Sequence, residues 1–217
     1  MRFLLPKLKV VVAVASPIAF EALNGADLLT TSLQSAKAFA TQSGLQSRVA
    51  IAARRDYLNQ IKVNFDGELI ECDPTNPIEF ATALARASDF DIVAIHDAQR
   101  PLTNVTQFQR TITALTGDYE AARPATGFTE TLKVINENGE LTKTIDRTKL
   151  RRISTPEIIR KSAIDFAGTG NSNWFLPLKN VNKTIEVEAD PESLRINEIA
   201  DVAMAESFVV WQQRISR

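Results

Sequence analysis

An aspartate and an arginine lie three residues apart after a short apolar run. The run is Val93–His96, and Asp97 and Arg100 follow it. Sites in open α/β sheets lie beyond the carboxyl ends of strands, so both side chains are candidates for such a site. A carboxylate there can hold a divalent cation, and an arginine can hold a phosphate. The two side chains can also pair with each other or cap a helix, and this segment alone leaves both alternatives open.

Three later segments carry further polar residues. They are Glu130–Lys133 (ETLK), Asp146–Thr148 (DRT) followed by Ser154–Pro156 (STP), and Asp190–Ile196 (DPESLRI). Together with the segment that ends in Asp97 and Arg100, they resemble four motifs of the 2-C-methyl-D-erythritol 4-phosphate cytidylyltransferases of non-mevalonate isoprenoid biosynthesis. Those motifs are HDAARP, DTxK, VDR with TPQ, and DPxNIKIT. The order and spacing are similar, so the resemblance covers most of the chain.

The resemblance implies transfer of CMP from CTP to methylerythritol phosphate, with release of pyrophosphate. It implies that Asp97 and Asp190 face Mg²⁺, and that Asp97 and Arg195 are catalytic. Arg195 stands where the family has lysine near the α-phosphate, which keeps the charge but replaces a point charge by a planar fork. The substrate-binding residues implied are Arg100, Thr131, Arg147 and Thr155, of which the last two would reach the site from a partner's arm.

The expected CTP-binding loop is missing. In the family the first strand opens into a loop with the pattern AAGxGxRxxxxxPKxxxxLxGKP, whose amides, arginine and lysine bind the triphosphate. Here Ser16–Ala22 (SPIAFEA) leads directly to Leu23–Asp27 (LNGAD), which resembles the far end of that loop. The loop is therefore shorter by roughly ten residues. Ser16–Ala22 contains no glycine, lysine or arginine, which predicts impaired or lost CTP-dependent catalysis.

A second departure lies at Asp73–Leu84, with the sequence DPTNPIEFATAL. The family has GGxxRxxSVxxGL there, and its glycines and serine receive cytosine and ribose. Glu79 replaces the serine and Ala83 the second glycine. We therefore expect a core helix here and not a nucleotide contact.

Two functions of different classes follow from this pattern. The first is a binding protein, a pseudoenzyme, that keeps the sugar-phosphate side of the site and has lost the CTP side. The second is an active cytidylyltransferase for methylerythritol phosphate or a related polyol phosphate, with Mg²⁺ as its cofactor and another basic group in place of the missing cations. A nucleotidyltransferase for a different nucleotide is a third alternative. The missing cations favour the first.

Alternating apolar and amphipathic segments predict one α/β domain over residues 1–217, with a largely parallel sheet and helices on both faces. The resemblance implies that this is a three-layer Rossmann-like nucleotidyltransferase sheet with a protruding hairpin. The predicted strands are Lys9–Ala15, Arg48–Ala52, Glu68–Cys72, Asp91–His96, Tyr119–Pro124 and Thr184–Glu188. The predicted helices are Leu29–Thr41, Tyr57–Val63, Ile78–Ala87, Val105–Leu115, Glu157–Phe166 and Glu198 to about Arg214. Gly168–Asn173 is predicted to be a surface loop.

The sequence pattern of residues 131–146 predicts a β-hairpin arm. Thr131–Ile135 and Leu141–Ile145 alternate in polarity around the turn Asn136–Gly139. An isolated hairpin is only marginally stable, so its apolar face packs either on its own domain or on a second subunit. The resemblance implies a homodimer joined through exchanged arms, and a mixed dimer with a full-length homologue is an open alternative.

Composition restricts the partners and the compartment. The net charge of −1 argues against nucleic acid as a partner. No apolar run reaches membrane-spanning length, so no membrane partner is expected. Cys72 is the one cysteine and cannot form an internal disulfide, which predicts a cytoplasmic protein. The one histidine, His96, ends a buried run and is expected to be structural.

Overall fold

The computed structural model describes residues 5–62, 64–168 and 173–215. The strands are β1 (Lys7–Val14), β2 (Ala22–Leu23), β3 (Ala26–Asp27), β4 (Gln46–Ala53), β5 (Glu68–Glu71), β6 (Ile92–Asp97), β7 (Ala121–Thr126), β8 (Lys133–Ile135), β9 (Leu141–Thr144), β10 (Arg152–Ile153), β11 (Glu157–Arg160) and β12 (Thr184–Glu188). The helices are α1 (Leu28–Gln42), α2 (Arg55–Ile61), α3 (Pro77–Arg86), α4 (Val105–Thr113) and α5 (Ile199–Ile215). The segment 169–172 of the predicted surface loop, and Val63 at the end of a predicted helix, lie outside the described residues.

The central sheet has eight strands in the order β10-β7-β11-β6-β1-β4-β5, with β12 beside β7. Strands β6, β1, β4 and β5 run parallel. The apolar runs of β6, β1 and β4 are buried on both faces, as expected when helices cover both sides of a parallel sheet. In β1, Val10, Val12 and Val14 pack with α1, α2 and α4, whereas Val11 and Ala13 pack with α3. This confirms the predicted three-layer α/β fold.

One predicted helix is wrong. Residues 157–160 form β11, which pairs antiparallel with both β6 and β7, and a 3₁₀ turn follows at Lys161–Ala163. Ile158 is fully buried against one layer of helices, and Ile159 is fully buried in the other core. Consecutive side chains of a strand point to opposite faces of a sheet, so a central strand buries both isoleucines. The sequence pattern is compatible with a helix as well as a strand, because the periodicity of a short apolar run does not distinguish the two structures.

The predicted hairpin protrudes from the central sheet as an arm. Strands β8 and β9 form a separate two-stranded sheet, and every residue in them is exposed. Its apolar side chains are open to solvent, with Ile135 61% and Leu141 70% exposed. Within the described part of the chain, no helix is long and apolar enough to cross a membrane.

Candidate functional site

The two predicted catalytic residues lie in direct contact. Asp97 ends β6 at the carboxyl edge of the sheet and is 5% exposed. Its Oδ2 accepts a hydrogen bond from Nε of Arg195 at 2.7 Å, and its Oδ1 accepts one from the amide of Gln99 at 3.0 Å. Both carboxylate oxygens are therefore bound within the chain.

Gln99 is a site residue that the sequence analysis missed. Its Oε1 accepts a hydrogen bond from Nη2 of Arg195 at 2.6 Å, and Asn197 accepts one from Nη1 of the same guanidinium. The signal was present, because Gln99 stands where the HDAARP pattern has its second alanine. An alanine offers no side-chain hydrogen bond, so the glutamine adds a contact that the motif does not contain.

The buried guanidinium of Arg100 connects two other segments of the chain through hydrogen bonds. Its Nη1 donates to the carbonyl of Ser193 at 2.6 Å, and its Nη2 donates to the carbonyl of Ile153 at 2.8 Å. Burial lowers the pKa of Arg100 to about 10; Asp97 opposes this shift, and the charges of Arg195 and Arg152 add to it. Each Nη of a guanidinium carries two N–H groups, and Nε of Arg100 is buried without a hydrogen-bond partner, so the phosphate contact through Arg100 stays a prediction.

Thr155 lies in the connection between β10 and β11 of the central sheet and not on the arm. Its hydroxyl is 2.8 Å from Nδ1 of His96 and accepts a hydrogen bond from the amide of Asp97 at 3.3 Å. Thr155 is 4% exposed. It follows β10, which pairs with β7, and this pairing holds it beneath Asp97. Thr155 therefore does not lie on the arm, and its role in substrate binding stays a prediction.

His96 is a structural residue, as expected. It is fully buried, and its ring centroid lies 5.0 Å from that of Phe108. Burial lowers its pKa to about 4, with Asp97 opposing the shift. The ring is therefore neutral near pH 7, and its contact with Thr155 fixes the end of β6.

The residues predicted to hold Mg²⁺ do not fit a metal site in this fold. Oδ1 of Asp190 accepts a hydrogen bond from Arg110 at 2.6 Å, just as Asp97 accepts one from Arg195. An arginine thus neutralises each carboxylate, although Oδ2 of Asp190 is buried without a hydrogen-bond partner. Across residues 5–62, 64–168 and 173–215, no group of three or more His, Cys, Asp or Glu side chains could hold a metal ion.

A cavity of about 440 Å³ opens at the base of the arm. Its lining consists of residues 126–130, Arg152 and residues 188–191. The lining residues therefore include three acids, Glu130, Glu188 and Asp190, and one arginine. Oδ1 of Asp190 binds Arg110, and its Oδ2 is buried. This mixture suits a ligand with several hydroxyl groups and one phosphate, because carboxylates accept hydrogen bonds from hydroxyls and arginine binds phosphate.

The two predicted substrate residues near the arm lie at the edge of this cavity. Arg147 is exposed, and its guanidinium donates to the carbonyl of Thr129, which lines the cavity. Thr131 is exposed and follows the lining residue Glu130. In this chain, both are therefore open to solvent. Their roles in substrate binding stay predictions.

The connection from β1 to α1 is short and carries its own caps. Pro17–Phe20 forms a 3₁₀ turn, and β2 and β3 form a small hairpin. The turn between β2 and β3 uses Asn24 and Gly25, both in the left-handed region with φ of 53° and 90°, which glycine adopts most easily. Asp27 caps α1, because its Oδ1 accepts from the amide of Thr30 at 2.6 Å. The helix N-terminus that could attract a phosphate already binds a carboxylate of its own chain.

The second departure from the family pattern is a core helix, as expected. Phe80, Ala81 and Leu84 of α3 are buried. Glu79, in place of the family serine, accepts a hydrogen bond from the amide of Asp73 at 2.8 Å. The carboxylate of Glu79 therefore already binds the amide of Asp73 at the edge of the sheet.

The fold and the position of the site define an α/β nucleotidyltransferase, with Asp97 at the carboxyl end of β6 and an arm beyond β7. Two solved structures share the fold. The 4-diphosphocytidyl-2C-methyl-D-erythritol synthase of Anaerococcus prevotii superposes with a TM-score of 0.71 at 19% identity, covering 94% of this chain and 98% of that one. The 2-C-methyl-D-erythritol 4-phosphate cytidylyltransferase of Thermus thermophilus gives a TM-score of 0.70 at 19% identity, covering 92% of this chain and 97% of that one.

The chain belongs to the 2-C-methyl-D-erythritol 4-phosphate cytidylyltransferase family, whose family model matches residues 11–174. A relative of that name from Rhodococcus jostii is 25% identical over 200 residues, which cover 89% of this chain and 87% of the relative. The relative from Rhodococcus opacus is 24% identical over the same length. The resemblance seen in the motifs is confirmed, and the chain is a cytidylyltransferase-like protein of isoprenoid biosynthesis.

Proposed function

We propose that this chain binds a small polyol phosphate and is impaired in the CTP-dependent transfer of CMP. The observation that carries the proposal is the short connection between β1 and α1. This connection has no lysine, arginine or glycine between Ser16 and Ala22, on the nucleotide side of the site. At the start of α1, the carboxylate of Asp27 caps the helix.

Compared with the family pattern, the nucleotide side of the site lacks positive charge and main-chain amide donors. Transfer at phosphorus depends on hydrogen-bond donors and cations that are aimed at the developing charge. Removal of one such donor costs on the order of 3 kcal/mol in the barrier. Here the loop cations are missing, Pro17 offers no amide hydrogen, and Glu21 and Asp27 add negative charge. Together these changes disfavour a bound triphosphate and its reaction.

The sugar-phosphate side keeps a cavity with suitable chemistry. Arg152 lines it, and the nearby Arg147 binds the carbonyl of Thr129 at its edge. Arg152 lies close enough to Arg100 for its charge to lower the pKa of Arg100, so two guanidinium groups lie close together near a cavity that acidic residues also line. This supports Arg152 as the phosphate-binding residue, with Arg100 as its buried support.

Calorimetry with methylerythritol phosphate and with CTP–Mg²⁺, titrated separately, tests the proposal. We expect binding of the sugar phosphate and weak or no binding of CTP. Arg152→Ala should weaken sugar-phosphate binding about tenfold or more, because a charge-assisted contact is lost. Arg151→Ala is the matched control, since Arg151 is exposed and donates to the carbonyls of Thr148 and Leu150. Equal loss in both variants, or no binding at all, would contradict the proposed cavity.

Active catalysis is the second candidate function, and the extent of similarity to the Rhodococcus jostii cytidylyltransferase favours it. A working enzyme would receive Mg²⁺ with its nucleotide and would need a phosphate-neutralising group within reach of Asp97. Pyrophosphate release from CTP and methylerythritol phosphate at about 1 per second, abolished by Asp97→Ala, would establish this activity and overturn the impaired function.

We also propose a homodimer that forms through the arm. The exposed apolar side chains Val134, Ile135 and Leu141 support it, because water-exposed apolar groups on a two-stranded arm gain stability from a partner surface. A mixed dimer with a full-length homologue is the alternative pairing. A cytoplasmic location also remains a proposal, supported by the single cysteine.

A further inference from the structure

We infer that Gln99 is a positioning residue that holds the guanidinium of Arg195 on Asp97, so that an arginine takes the place of a divalent cation at the end of β6. The juxtaposition of these three side chains carries the inference. It rests on the proposed function only for the identity of the ligand, a phosphate monoester.

Gln99 is fixed at both ends of its side-chain amide. Its Nε2 donates to the carbonyl of Ile196 at 2.6 Å, and its Oε1 accepts from Nη2 of Arg195 at 2.6 Å. The main chain adds a third contact, from the amide of Ile196 to the carbonyl of Gln99 at 2.8 Å. Gln99 is 1% exposed. The amide group therefore has one orientation in which both of its atoms find partners, and that orientation presents its oxygen to Arg195.

Arg195 in turn covers the carboxylate. Its Nε lies 2.7 Å from Oδ2 of Asp97, while Oδ1 of Asp97 is held by the amide of Gln99. The Asp97 side chain is 7% exposed and the Arg195 side chain 36%. The outer surface that a ligand meets is therefore a guanidinium. A divalent ion would have to displace Arg195 before it reached the carboxylate oxygens.

The electrostatic consequence differs from that of a bound metal ion. A carboxylate with a divalent cation carries a net charge of about +1, whereas a carboxylate with an arginine is neutral as a pair. The neutral pair can orient a phosphate through the remaining guanidinium hydrogens. It cannot neutralise the several charges of a triphosphate. The substitution of lysine by arginine and of alanine by glutamine therefore favours a monoester that is bound without a metal ion.

Nuclear magnetic resonance on the full chain tests the contact directly. The Nε–H signal of Arg195 is identified by its loss in Arg195→Lys, and its exchange with solvent is measured. We expect exchange about tenfold faster or more in Gln99→Ala. Gln99→Glu should slow the exchange again only in part, because a carboxylate also accepts from Nη2 but cannot donate to the carbonyl of Ile196. Asn197→Ala, which removes a contact at Nη1, should change exchange less than Gln99→Ala does.

Mn²⁺ serves as the metal probe in the same samples. In the unsubstituted protein, millimolar Mn²⁺ should leave the amide signals of Ala98 and Gln99 no broader than those of distant exposed residues. Gln99→Ala should produce selective broadening, because the loosened guanidinium exposes Asp97. Selective broadening in the unsubstituted protein that Asp97→Asn removes would overturn the inference, as would equal exchange rates with and without Gln99. Neither readout uses a phosphate ligand, so a failure of the proposed sugar-phosphate binding would appear separately.

Discussion

Nη1 of Arg100 lies 2.6 Å from the main-chain carbonyl oxygen of Ser193, 93 residues later in the chain. This contact joins the turn after β6 to the segment that carries Arg195. The Ser193 hydroxyl is also 2.8 Å from that of Thr103 and 2.5 Å from that of Ser154. The position of Arg195 over Asp97 therefore depends on a buried polar network beneath it.

Arg100→Lys should destabilise the protein by about 2–3 kcal/mol, because an ammonium cannot reach the carbonyls of both Ser193 and Ile153 and leaves a buried acceptor unpaired. Urea unfolding measures the change in the free energy of unfolding. Arg151→Lys, on an exposed side chain, is the control and should stay within about 0.5 kcal/mol. Equal stability of the two variants would mean that Arg100 does not anchor the segment.

Most of the fold was predictable because its signals are local. The buried β1, β4 and β6 and the helices between them follow from apolar runs and helical spacing. β11 was not predictable in this way, because its identity as a strand depends on pairing with β6 and β7, which lie far away in sequence. Pairing of this kind is a tertiary effect that overrides local propensity.

The sequence predicted which residues form the site better than it predicted the contacts that they make. The motifs named Asp97, Arg195 and Asp190, and the structure places Arg195 on Asp97. The burial of Arg100 and Thr155 was not foreseen, because a motif gives residue types and not the directions of their side chains. Gln99 could have been singled out as the one residue in its motif that adds a buried hydrogen-bonding group.

His96 should make stability depend on pH between about 4 and 6.5. Burial lowers its pKa to about 4, so the unfolded chain binds a proton in this range and the folded chain does not. The stability that comes from neutral His96 is present above pH 6.5 and is lost as the pH falls toward 4, by on the order of 3 kcal/mol. Unfolding of the unsubstituted protein and of His96→Gln, which can still contact Thr155, measures this. If the difference between them is constant from pH 7 to pH 4.5, the histidine does not titrate as expected.

Glu157 should make the stability depend on pH in the direction opposite to that of His96. It is buried 3.8 Å from Arg123, and burial raises its pKa to about 7. The folded chain therefore binds a proton between about pH 4.5 and 7 that the unfolded chain has released, and stability falls as the pH rises through this range. Glu157→Gln, whose amide oxygen can still accept from the Phe175 amide, should remove this fall, which is on the order of 3 kcal/mol. An unchanged pH profile in the variant would show that Arg123 keeps Glu157 ionised throughout.

The arm should control association. Ile135 and Leu141 are 61% and 70% exposed on a hairpin that stands apart from the central sheet. If they pack on a second subunit, Ile135→Lys combined with Leu141→Lys places charge in an apolar interface and should convert a dimer to a monomer, with a loss of at least about tenfold in association. Sedimentation at tens of micromolar measures this. Lys143→Glu, which changes the arm's charge but not its apolar contacts, is the control and should remain dimeric. A monomeric unsubstituted protein at that concentration would contradict the exchange of arms, and a dimer that survives both lysines would place the interface elsewhere on the surface.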